Sequence, residues 1–85
     1  MNPRVKAVRY KSPHTLIVTF INDEIKEFNL AKYLSYPVFE KLNDESFCSK
    51  AKALYGTVVW DDETDFDPDT LYLEGVAVDS QPVDQ

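Results

Sequence analysis

RVKAVRYKSPHTLIVTFINDEIKEF, residues 4–28, holds three strand-like runs separated by turn residues. RVKAVRYK (4–11) and TLIVTFI (15–21) are rich in β-branched and aromatic residues, which suit a pleated surface. SPH separates them, and its Pro13 fits a connection because proline cannot donate to a sheet ladder. Side chains alternate along a strand, so Leu16, Val18 and Phe20 share one face and Ile17, Thr19 and Ile21 the other. Apolar residues on both faces predict a central strand covered on two sides. Asn22-Asp23 marks a turn, and IKEF (25–28) returns as a shorter strand. The stretch reads as a three-stranded meander. Arg4, Lys6, Arg9 and Lys11 give its first strand the charge that keeps a sheet edge from pairing with other chains.

Outward from the meander, NLAKYLSYPVFEKL (29–42) loses the two-residue period. Asn29 can cap a short helix carrying Leu30, Tyr33 and Leu34, and Pro37 is placed to open a second one with Val38, Phe39 and Leu42 apolar. SKAKALYGTVVW (49–60) returns to strand character, with Tyr55-Gly56 either a tight turn or the bend of one strand. Asp67-Pro68 is a helix start, with Asp67 as cap, Pro68 at the first helical position and Asp69 complementing the helix dipole. Leu71, Tyr72 and Leu73 are expected to drop onto the sheet. The expectation is one α+β domain over residues 1–78. It has a mostly antiparallel sheet of about five strands, short helices on one face and a frayed tail at 79–85.

Eighty-five residues make one small core, so a dimer or partner is expected to add stability. No apolar run approaches the ~20 residues that cross a bilayer. MNPRVKAVRY lacks the apolar stretch of a secretory signal, and Cys48 stands alone, which points to a reducing, cytoplasmic setting. Charge is unevenly placed. Residues 1–42 hold seven Lys/Arg against four Asp/Glu, a net of +3; residues 43–85 hold two against eleven, a net of −9. The overall −6 opposes direct binding to nucleic acid.

Six acids fall between Asp61 and Asp69. A calcium loop counted from Glu63 places Asp65, Asp67 and Glu74 correctly, but its sixth position is Pro68, where that loop needs glycine. His14 is the single histidine, so a multi-histidine metal site is excluded, and Cys48 with His14 lacks any local signature of a nucleophilic pair. No G-x-S-x-G and no phosphate-cradling glycine loop occurs. No cofactor and no catalytic residue is assigned.

Val58-Val59-Trp60, followed by Asp65-Phe66-Asp67-Pro68-Asp69-Thr70-Leu71-Tyr72, resembles the bacterial family catalogued as domain of unknown function 2442. The resemblance runs from Arg4 to about Gly75. It implies a small α+β domain without an assigned activity. Members are often encoded beside domain of unknown function 4160, in what resembles a toxin–antitoxin pair. Some longer relatives append a helix-turn-helix domain, which is not expected in a chain ending at Gln85. Where the family commonly has Pro, Asn and Gly after the tryptophan, this chain has Asp61-Asp62-Glu63-Thr64. The resulting expectation is a non-enzymatic, antitoxin-like module whose Asp61, Asp62, Glu63 and Asp65 meet a small basic toxin-like partner encoded nearby. The alternatives are a weak divalent-metal-dependent enzyme using the same acids, and a homodimer joined along an edge strand.

Overall fold

The computed structural model describes residues 2–61 and 63–78. The meander forms as the alternation predicts: β1 (Val5–Lys11), β2 (Thr15–Phe20) and β3 (Ile25–Asn29) pair antiparallel in sequence order. The β2–β3 turn is closed by Asp23 N–H to Phe20 O at 2.8 Å, with Asp23 at φ 71°, a conformation aspartate tolerates better than most residues. Leu16, Val18 and Phe20 are fully buried, as the period-two reading requires.

Two sheets form where one was expected. Val76–Ala77 (β7) adds to β3 and completes the order β1-β2-β3-β7, while β4 (Lys52–Leu54), β5 (Thr57–Asp61) and β6 (Thr64–Phe66) make a second antiparallel sheet. The class is α+β, with seven strands among the described residues. Tyr55 (φ 55°) and Gly56 (φ 77°) form a two-residue turn between β4 and β5. Positive φ at both central positions is the type I′ geometry that matches strand twist, so the turn and not a bent strand is adopted.

The inner faces meet around Phe66, which stacks on Phe39 (ring centroids 4.5 Å apart, 3° between planes) and edges onto Phe28, Tyr33 and Trp60. Leu30, Leu42 and Leu71 complete this core, each fully buried and each contributing roughly 1.5–3 kcal/mol by leaving water. Trp60 Nε1 donates to Cys48 O at 2.8 Å. That bond satisfies the one polar atom of the indole and ties β5 to α1 (Glu45–Cys48), a short helix the sequence did not announce.

The segments around 31–43 are 3-10 turns, Ala31–Tyr33 and Pro37–Asn43, and not α-helices. The cap position of the first turn is Leu30 and not Asn29, whose Oδ1 accepts from Ala31 N–H at 2.8 Å in a local turn just ahead of it. α2 (Pro68–Glu74) begins at Asp67-Pro68 as expected, but the Asp67 carboxylate accepts from the Thr70 hydroxyl (3.4 Å) and from no backbone N–H. Leu71 and Tyr72 pack inward, with Tyr72 edge-on to Phe20. Leu73 and Val38 point to solvent against expectation, being 69% and 60% exposed. In seven-residue stretches the apolar positions outnumber those that face inward, and the excess stays outside. β2 is interior in its sheet, but among the described residues no second layer covers its other face, where Ile17 and Thr19 are half-buried and Ile21 is exposed. The tail expected at 79–85 lies outside the described residues.

Candidate functional site

The acids between 61 and 69 do not converge. Asp61 ends β5; its Oδ1 accepts the backbone N–H of Glu63 at 2.9 Å and its Oδ2 lies 3.3 Å from Lys41 Nζ. The Glu63 N–H, then Thr64 and Lys41, hold its carboxyl below the ordinary aspartate range. Glu63 reaches the same ammonium at 3.9 Å. Lys41 thus screens two of the four acids expected to meet a partner. Asp62 lies outside the described residues.

Asp65 is differently placed. Residues 64–66, which the sequence did not announce as a strand, pair with β5, with Thr64 and Phe66 buried and Asp65 turned outward between them. The two-residue period is present in T-D-F, but three residues are too few to be distinguished from a loop by pattern. On the outer side of this sheet Lys52, Val59 and Asp65 occupy one cross-strand row. Asp65 makes no ion pair among the described residues.

Asp61 and Asp65 open into one cleft of about 230 Å³, shared with Lys52, Leu54, Tyr55 and Val59. Leu54 is 41% and Tyr55 86% exposed, whereas Val59 is buried without belonging to the central core. Sequence reasoning did not bring Leu54, Tyr55 and Val59 together as the lining of one cleft. The available signal was TVVW, where adjacent valines must face opposite sides, so one of them had to lie outside the core.

A larger hollow, about 560 Å³, lies beside β3 and β7 and is lined by Thr15, Glu27, Phe28, Asn29, Ala31, Lys32, Glu74 and Val76. Its charges are engaged within the chain. Lys32 meets Glu74 at 2.9 Å and Lys11 meets Glu27 at 3.2 Å, while Tyr33 also donates to Glu74.

The oxygens of the calcium-loop register are dispersed. Asp65 faces outward from β6, Asp67 starts α2, and Glu74 is held by Lys32 and Tyr33 at the far end of that helix. Among the described residues no group of three or more His, Cys, Asp or Glu could hold a metal ion. Cys48 is fully buried and its thiol is pushed up to about 11, chiefly by that burial. A thiol so placed is protonated at neutral pH, the reverse of what a nucleophile needs. Among the described residues no helix is long and apolar enough to cross a membrane.

No curated protein and no solved structure matches the chain. A family model does, and it is the one that Val58–Trp60 and Asp65–Tyr72 resemble. It matches residues 5–77, and the chain belongs to the family described as Protein of unknown function (DUF2442).

Proposed function

We propose that this chain is a non-enzymatic, cytoplasmic protein-binding module, antitoxin-like, that covers a small basic partner with the outer face of β4, β5 and β6. The observation that carries this reading is the shared cleft, where Asp61 and Asp65 flank an apolar patch of Leu54, Tyr55 and Val59. Protein interfaces are built in this way, with a desolvated apolar centre and a polar rim, and tyrosine is prominent among their energetic anchors. The acids at the rim steer a basic partner and discriminate against an acidic one. Of these acids Asp65 has the largest role, because Lys41 draws on Asp61 and Glu63.

Co-expression of the tagged chain with the protein encoded next to it tests this. The expected result is a stoichiometric complex that weakens as salt rises and weakens about tenfold with Asp65→Lys. A chain that purifies alone and folded sinks the reading. A complex indifferent to both salt and Asp65→Lys removes the acidic face from it.

A further inference from the structure

The outer face of the four-stranded sheet, over which the described residues place no further layer, has an arrangement that the cleft on the other sheet does not account for. Opposite the buried Leu16, Val18 and Phe20, β2 presents Ile17 and Thr19, half-buried, and the chain continues into Ile21, 61% exposed. Ile25 on β3 pairs with Thr19, and Val76 on β7, 69% exposed, pairs with Glu27. The result is an apolar strip of Ile17, Thr19 and Ile25 on an outer sheet face, with Arg9 to one side of Ile17 and Glu27 to the other, between it and Val76.

The charges lie in register with the strip. Arg9 is the cross-strand partner of Ile17, and Ile17 of Glu27, so cation, isoleucine and carboxylate stand in one row across β1, β2 and β3. Arg9 has no ion pair among the described residues, while Lys11 engages only Oε2 of Glu27. A carboxylate has lone pairs to spare for a second donor.

We infer that this face packs against the same face of a second copy of the chain, with Ile17 on Ile17 and Arg9 of each copy against Glu27 of the other. The charge order selects this occupant. A two-fold axis parallel to the strands, running over β2 midway between the two sheets, exchanges the two flanks and brings each cation over a carboxylate. An axis across the strands would set Arg9 on Arg9 and Glu27 on Glu27. Sheets pack face to face about 10 Å apart with nearly aligned strands, a gap that an arginine and a glutamate together span. The contact is isologous and closes on itself, so it ends at a dimer. It differs from an edge-to-edge dimer through β1, whose first residue is already bonded by Val5 N–H to Gly56 O at 2.9 Å.

The test is the mass of the full chain by light scattering and sedimentation equilibrium over a wide concentration range. The expected result is a rise from 9.8 kDa toward twice that value. Arg9→Glu sets carboxylate against carboxylate, and Glu27→Arg sets cation against cation. Each is expected to weaken the dimer roughly tenfold or more. The double variant Arg9→Glu/Glu27→Arg restores opposite charges across the contact and is expected to recover dimerisation. Unchanged far-ultraviolet circular dichroism shows that each variant is folded. A folded chain that stays at 9.8 kDa throughout overturns the inference, and is the outcome if residues 79–85 or another protein cover the strip instead. A dimer unaffected by the single reversals, or not recovered by the double variant, overturns it as well.

Discussion

Lys52 and Asp65 stand on opposite sides of Val59, each its cross-strand partner, on the outward face of the three-stranded sheet. The same order, cation then β-branched apolar residue then carboxylate, recurs on the other sheet as Arg9, Ile17 and Glu27. Paired rows of this kind keep an apolar outer residue soluble in the free chain and can be met by a complementary surface.

Charge reversal should therefore separate acids that look equivalent by composition. Asp65→Lys is expected to weaken capture of a basic partner by about tenfold. Glu63→Lys is expected to weaken it severalfold less, because Glu63 already lies near Lys41. Isothermal titration of the two variants against the same partner checks this, and equal losses would show that the loop acts only through its total charge.

Tyr55 trades stability for exposure. A tyrosine at φ 55° occupies the left-handed region, which disfavours residues other than Gly, Asn and Asp by roughly 1 kcal/mol. Tyr55→Asn is expected to raise the thermal midpoint by a few degrees, as about 1 kcal/mol does in a small domain. It should also weaken partner capture. A midpoint that falls would mean that the ring contributes packing beyond its 86% exposure.

Gly75→Ala should destabilise the chain. A Cβ at residue 75 would stand 2.6 Å from the Leu71 carbonyl oxygen and 3.0 Å from Lys26 Cβ. The oxygen belongs to backbone that also accepts the Gly75 N–H, so the helix end must move. A loss of about 1–3 kcal/mol in urea unfolding is expected.

Three tyrosine–glutamate bonds tie distant segments, Tyr10 to Glu45, Tyr33 to Glu74 and Tyr72 to Glu24. The hydroxyl of Tyr33 is the main cause lowering Glu74, that of Tyr72 the main cause lowering Glu24, and Ser12 ahead of Tyr10 lowers Glu45. Carboxyls held below their ordinary 4.5 stabilise the fold above that value, and the contribution is lost as pH falls through the folded-state values. Tyr33 has the opposite sign. Burial, then Glu74, pushes it up from 10.0 to about 12, so its contribution is complete below 10.0 and lost as pH climbs toward 12. Urea midpoints across pH should fall at both ends. Tyr33→Phe should shrink the alkaline fall and let Glu74 titrate nearer its ordinary value, and an unaltered alkaline limb would assign that limb to other groups.

The meander was legible because each of its signals is local. Leu16, Val18 and Phe20 alternate with Ile17, Thr19 and Ile21, and a turn residue stands at each end. Tyr55-Gly56 and Asp67-Pro68 were legible for the same reason, since a turn or helix start depends on the dihedral freedom of two residues. β6 was hidden. Thr64, Asp65 and Phe66 find their partners Asp61, Val59 and Val58 only once the chain has reversed, and three residues are too few for their alternation to announce a strand. α1 was hidden too, because four residues form a helix there only with Asp44 capping Ser46 N–H and Cys48 seated in the core.

Local pattern was enough for the three strands of the meander, the residues that share each face of β2, the start of α2, the family and the acid excess of the second half. Each follows from side-chain period, local dihedral limits or residue count. Only long-range contacts decided that, among the described residues, seven strands divide between two sheets, Lys41 engages Asp61 and Glu63 while Asp65 makes no ion pair, and the second face of β2 carries no further layer. Those outcomes depend on contacts between residues far apart in the chain. No local pattern carries them, because an isoleucine alternating outward looks the same whether another layer covers it or water does.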